Sequence, residues 1–147
     1  MLLGISKLIS PDLLKILMEM GHGDELVIGD GNFPAASIAP PGRLVRCDGH
    51  PVPELLDAIL KLFPLDSYVE KPAMLMGVVP GDKVETPIWD RYRSIIRDRT
   101  GLQDPIAELE RFEFYERAKS AYAVVATGES ALYANIILKK GVVTDGV

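Results

Sequence analysis

Cysteine and histidine are scarce in this chain: one Cys and two His among 147 positions. A lone thiol, Cys47, closes no intrachain disulfide and is what a reducing compartment tolerates, so the expected location is cytoplasmic. Few firm metal ligands fall at diagnostic spacing. A zinc site through His22, Asp24 and Asp30 is therefore poorly supported, with His50 apart in the turn-like "CDGHPVP". Blocks of like charge are missing too. Sixteen Lys and Arg against twenty-one Asp and Glu give a net charge of −5, with no basic stripe to track a phosphate backbone, so no nucleic-acid partner is expected. No apolar run reaches the roughly 18 residues that span a bilayer. The segment "MLLGISKLISPDLLKILMEM" is interrupted by Lys7, Asp12, Lys15 and Glu19 and lacks a cleavage pattern. Neither an export signal nor a membrane partner is expected. The phosphate-cradling GxxxxGK[ST], the dinucleotide glycine run and the GxSxG elbow are absent as well, which removes nucleotide, dinucleotide and acyl-enzyme chemistry from the first rank of readings.

What is present is an apolar chain with regular punctuation. Hydrophobic residues make up 48% and the mean hydropathy is positive, high enough to predict that some apolar surface meets another copy of the chain. Ser10 and Pro11 start a helix, apolar positions recur at 13, 14, 17, 18 and 20, and Gly21 stands where a left-handed cap belongs. "ELVIGD" and "GRLVRCDG" read as strands, "PELLDAILKLF" as a helix stopped by Pro64, and "PAMLMGVV" as a buried strand. Thr86 and Pro87 open a second amphipathic helix. "SAYAVVATG" and "YANIILKKG" read as strands separated by a turn at Gly128, Glu129 and Ser130. The alternation predicts one α/β domain over 1–147, a three-layer α/β/α arrangement around a mostly parallel or mixed sheet. The long loop "GNFPAASIAPPG" reads as a functional or interface element.

The residues able to carry chemistry are few. His22 lies between two glycines in "MGHGDELVIGDGNFP", and glycine neighbours give an imidazole little cover. Its bland alternative is a charge complement to the preceding helix end. Asp30 closes the "ELVIGD" strand and so reaches the C-terminal edge of the sheet, where open α/β sheets bind ligands. Asp24 reads as a turn residue bonding local backbone. "ERFEFYERAK" reads as an amphipathic segment with a solvated charged face. Tyr133 and Asn135, two apart at the start of a strand, would share a face, either as ligand contacts or simply exposed. A phenol, an amide, carboxylates and an imidazole make a set suited to polyhydroxylated ligands.

Taken together, "MGHGDELVIGDGNFP", "FPLDSYVEKPA", "TPIWDRY", "LERFEFYERAKSAYAVVATGE" and "ALYANIILKKG" resemble, in order and over nearly the whole chain, the signature blocks of the L-fucose mutarotase family. The D-ribose pyranases are its sister branch, and the aromatic "RFEFYERAK" block is similar to the fucose branch. The resemblance implies an α/β enzyme that interconverts the α and β anomers of L-fucose without cofactor or metal, with pyranase activity on D-ribose as a further expectation. It also implies a homo-oligomeric ring, often a decamer. By the same resemblance His22 matches a catalytic acid and Asp66 a second catalytic group. Asp30 matches a sugar-binding carboxylate, and Met76, Arg111, Tyr115, Tyr133 and Asn135 fall on substrate-contact positions. Ala134 departs from a glycine common in the family, and its methyl group is expected to trim the pocket or a backbone contact.

Mutarotation removes a proton from the anomeric hydroxyl while the ring oxygen gains one, so the group at work must act in both directions. Histidine, with an ordinary pKa of about 6.5, suits this, and general acid–base help is worth about 10² to 10⁴ in rate. His22 is expected to serve the ring oxygen, and an aspartate or tyrosine the anomeric hydroxyl. A non-enzymatic sugar-binding or transport-associated protein is the alternative reading, and a metal-dependent isomerase through His22 and Asp30 a further one.

Overall fold

The chain folds around a sheet whose strands alternate apolar side chains to two faces, which is what period-two burial requires when helices cover both sides. A computed structural model describes residues 1–145. The strands are β1 (Glu25–Gly29), β2 (Leu44–Cys47), β3 (Ala73–Met76), β4 (Ile106–Leu109), β5 (Ala123–Thr127) and β6 (Ile136–Lys139). The helices are α1 (Pro11–Glu19), α2 (Ala35–Ile38), α3 (Val52–Leu60), α4 (Pro87–Thr100) and α5 (Arg111–Lys119). The sheet order is β2-β5-β1-β6-β3-β4. All neighbours pair in parallel except β6, which runs antiparallel to both β1 and β3. The C-terminal ends of five strands therefore share one edge of the sheet with the N-terminal end of β6.

The alternation sorts the core in two. Leu26, Ile28, Leu75, Val125, Ile136 and Leu138 face the layer of α1, α3 and α4, where Leu13, Leu55, Ile59, Tyr92 and Ile96 are fully or nearly fully buried. Val27, Met74, Val124 and Ile137 face the opposite layer, with Phe33, Phe114 and Ala118. The three-layer mixed-sheet expectation holds.

Local differences have local causes. The helix opened by Ser10, whose Oγ accepts from Leu13 N at 3.1 Å, ends at Glu19 with an extended Met20. The left-handed residue is then Gly23 (φ 87°) rather than Gly21, because the turn closes through Asp24, whose Oδ2 accepts from Gly21 N at 2.8 Å. Asp24 is thus a turn residue, as its spacing predicts. Thr86 precedes α4 but its side chain makes no cap bond. The loop "GNFPAASIAPPG" contains the four-residue α2. β4 has no counterpart in the sequence reading, since "IAEL" is a half-exposed edge strand with only weak alternation. "RFEFYERAK" is helical as α5, its N-terminus held by Glu110, whose Oε2 accepts from Phe112 N and Glu113 N.

Candidate active site

Strand ends build one cavity. Asp30 follows β1, Met76 ends β3, Arg111 opens α5 just after β4, Tyr115 lies one turn further along α5, and Tyr133 and Asn135 precede β6. All six line one cavity of about 360 Å³, within the usual range for small-molecule sites. Its position at the C-terminal edge of the parallel strands is where open α/β sheets bind ligands. Asn32, Phe33, Val79, Asp82 and Leu132 complete the lining. The period-two argument that put Tyr133 and Asn135 on one strand face does not apply, because β6 begins only at Ile136. A turn, not a strand, aims both into the cavity.

Asp30 is 6% exposed. Its backbone N donates to Asn135 Oδ1 at 2.7 Å, which locks the two ligand-facing groups to each other. Asp30 Oδ1 accepts from Asn32 N at 2.9 Å and Oδ2 from Ala134 N at 3.4 Å. Burial pushes its carboxyl above the ordinary range, against the pull of the Asn32, Ala134 and Phe33 amides. The Asp30 turn is itself held by Gly31 N donating to the Glu129 carbonyl at 2.8 Å. Glu129 is buried, and its two carboxylate oxygens accept from Val52 N and Ala131 N, so it ties the start of α3 to the cavity rim. Nothing in the "GES" turn signals that role, because the partner amide lies 77 residues away.

Tyr133 is the one non-glycine with positive φ among the described residues, at 55°. Such a backbone costs on the order of 1–3 kcal/mol unless its surroundings hold it. Here Trp89 Nε1 donates to the Tyr133 carbonyl at 2.7 Å and Tyr92 Oη to the Ala134 carbonyl at 2.8 Å. The Tyr133 phenol donates to Asp82 Oδ2 at 2.6 Å and accepts a long bond from Val79 N at 3.4 Å. This hydrogen bond to Asp82 raises the phenol above its ordinary pKa. Ala134 is fully buried in the layer of α3 and α4 and is absent from the cavity lining. Its methyl group packs in the core, so the expected trimming of the pocket by the side chain does not occur. On the opposite wall Tyr115 stacks on Phe33 at 6.0 Å and 18°, with the Arg111 guanidinium 5.9 Å from the Tyr115 ring.

His22 and Asp66 lie elsewhere. His22 precedes β1, and Asp66 follows Leu65, which bridges to Lys140 beyond the C-terminal end of β6. Both are therefore at the opposite edge of the sheet from Asp30, separated by the length of β1, five residues or roughly 17 Å at strand rise. At that separation His22 and Asp30 of the same chain do not share an ion. His22 Nε2 lies 3.0 Å from Asp66 Oδ1. The Tyr68 backbone N–H, then the His22 ring, hold the Asp66 carboxyl below the ordinary range. A carboxylate only accepts, so Nε2 carries a hydrogen in this bond. The imidazole is 43% exposed and leans on the exposed Tyr68 ring at 5.2 Å. No helix among the described residues is long and apolar enough to cross a membrane.

Comparison with known proteins adds the relatives. The model of the RbsD / FucU transport protein family matches residues 3–143. The chain is 57% identical over 143 residues to the fucose mutarotase of Homo sapiens, covering 95% of this chain and 92% of that protein. The crystal structure of FucU from Bifidobacterium longum superposes with a TM-score of 0.93 at 61% identity, covering 96% of this chain and 99% of the other. A fucose mutarotase from Streptococcus pneumoniae, solved in complex with L-fucose, superposes with a TM-score of 0.90 at 59% identity, covering 97% of this chain and all of the other.

Proposed function

The chain belongs to the RbsD / FucU transport protein family, and from that premise we propose that it is an L-fucose mutarotase, an isomerase that interconverts the α and β anomers of the free sugar by acid–base opening and closing of the pyranose ring. One observation carries the reading: the carboxylate, amide, phenol and guanidinium that recognise a polyhydroxylated ring converge with two apolar walls on a single cavity at the sheet edge. Asp30, Asn135, Tyr133 and Arg111 hold sugar hydroxyls. Tyr115 and Met76 cover an apolar C–H face or the methyl group of a 6-deoxy sugar.

His22 serves the ring oxygen, giving a proton on opening and taking it back on closure. Asp66 fixes its tautomer and orientation through the 3.0 Å bond. Because His22 and Asp30 occupy opposite edges of one chain, the imidazole works on the cavity of a neighbouring copy, and each cavity is completed by the next subunit. A head-to-tail contact closes into a ring when its rotation closes, and the family resemblance implies such a ring, often a decamer. The exposed His22 and Tyr68 side chains, projecting from the sheet edge, support that arrangement. The lone Cys47, buried and unpaired, supports a cytoplasmic location.

Saturation-transfer NMR on L-fucose at anomeric equilibrium tests the function, with D-ribose and D-galactose alongside. The protein is expected to accelerate exchange between fucose anomers most. His22→Asn is expected to lose about 10² or more of that acceleration while still binding fucose, in line with the loss of one general acid. Binding without accelerated exchange by the unaltered protein would overturn the enzymatic reading in favour of a sugar-binding protein. Unchanged exchange in His22→Asn would remove the imidazole from the mechanism.

A further inference from the structure

The turn between β3 and α4 brings a carboxylate to the cavity that neither sequence spacing nor the mechanism above employs. Asp82 lies on "VPGD", closed by Asp82 N donating to the Val79 carbonyl at 3.0 Å and by Gly81 in the left-handed region at φ 89°. Both ends of this turn grip the same atom. Val79 N reaches the Tyr133 phenol oxygen from one side, and Asp82 Oδ2 receives its hydrogen at 2.6 Å from the other. Tyr133 and Asp82 both line the cavity.

The consequence is a fixed polarity. A phenol has one hydrogen, and a carboxylate can only accept it, so Tyr133 cannot donate to a ligand while Asp82 is ionised. Its oxygen instead presents a lone pair to the cavity, and the group that fits a lone pair is a hydroxyl. The 55° φ of Tyr133 and the Trp89 bond to its carbonyl hold the residue rigidly enough for that polarity to be used.

We infer that Asp82 is a positioning residue for proton transfer at the anomeric hydroxyl, acting through Tyr133. This rests on the mutarotase reading and supplies the partner that His22 requires. The anomeric O–H proton passes to the Tyr133 oxygen as the phenolic proton passes to Asp82 Oδ2. The O–H electron pair forms the aldehyde C=O, the bond between the anomeric carbon and the ring oxygen breaks with its pair going to the ring oxygen, and that oxygen takes a proton from His22 of the neighbouring copy. The open-chain state holds a neutral Asp82 acid and a neutral His22 imidazole, the ring having given up the Nδ1 proton of its imidazolium form while Nε2 keeps its hydrogen on Asp66. Ring closure on either aldehyde face returns both protons.

The test is a double-mutant cycle of Asp82→Asn and Tyr133→Phe, read as kcat and KM for fucose anomer exchange. Asp82→Asn keeps the size of the side chain and can still hydrogen-bond the phenol, so a merely structural clamp would survive it. The inference expects a fall in kcat of at least about tenfold with KM within about threefold, the pattern of an interaction made in the transition state. In the Tyr133→Phe background the same substitution should change kcat by less than about twofold, because its route to the sugar is gone. Wild-type kcat in Asp82→Asn, an equal loss in both backgrounds, or a rise in KM alone would each overturn it. Failure of the unaltered protein to exchange fucose anomers would instead sink the underlying reading, so the two failures are distinguishable.

Discussion

At the scale of single residues, the two halves of the chemistry differ in how their carboxyls are tuned. Asp30 is pushed up by burial, whereas Asp66 is held down, first by the Tyr68 amide and then by His22. The sign of the Asp66 effect on stability follows from linkage. Its folded pKa lies below the unfolded value, so its contribution is present in full above about pH 4, the ordinary range of an aspartate, and is lost as pH falls through the folded pKa. Urea-denaturation midpoints measured from pH 7 down to pH 2 should therefore show Asp66→Asn less stable than the unaltered protein at neutrality. The gap should narrow below pH 4. A constant gap across that range would mean that the Asp66 charge does not contribute. Some of these residues were legible beforehand and others were not. Asp30 stands at the end of an apolar strand and could be placed at the edge by pattern alone. Tyr133 and Asn135 reach the cavity too, but through a strained turn that no periodicity encodes. Asp82 carries no signal in "VPGDK", because its partner Tyr133 lies 51 residues away.

At the scale of elements, the site depends on where β6 meets its neighbours. Gly141 follows β6 and donates its N–H to the Pro64 carbonyl at 2.8 Å. A Cβ there would lie 2.5 Å from the Leu65 carbonyl oxygen and 3.0 Å from Asp66 Cα. Both neighbours are backbone, so relief requires the segment carrying Asp66 to move. Gly141→Ala should cost about 1–3 kcal/mol, the usual range for overpacking. It should also slow fucose anomer exchange by displacing Asp66 from His22. A urea midpoint and an exchange rate both equal to those of the unaltered protein would show that the segment yields freely. The segment of α2 read as a loop and that of α5 only as an amphipathic charged stretch, whereas α1, α3, α4 and the inner strands were readable because their apolar residues repeat at 3.6 or 2.0 and proline or serine marks the helix starts. β4 was not, since an edge strand with half-exposed side chains lacks that contrast.

At the scale of the whole molecule, His22 and Asp30 lie at opposite sheet edges, and the proposed function therefore requires catalysis to be a property of an assembly. Preparations of His22→Asn and of Asp30→Ala should each be nearly inactive as homo-oligomers. After dissociation and reassembly of an equal mixture, about a quarter of the cavities should regain both native halves by chance if each is shared between two copies across a head-to-tail contact. Recovered exchange activity near that fraction checks the arrangement, and none would place both residues' function within one chain. The same arrangement makes activity fall with dilution through subunit dissociation, which sedimentation can follow alongside.

The sequence by itself determined most of the elements, the α/β layering and the set of chemical groups, because each depends on near neighbours: apolar period, punctuation, and side chains suited to sugar hydroxyls. Tertiary structure alone decided which groups meet. Reversal of β6 brings Tyr133 and Asn135 beside Asp30 at one edge and Asp66 beside His22 at the other. Strand order and direction are fixed by long-range pairing across the sheet, and no local pattern in the chain carries that information.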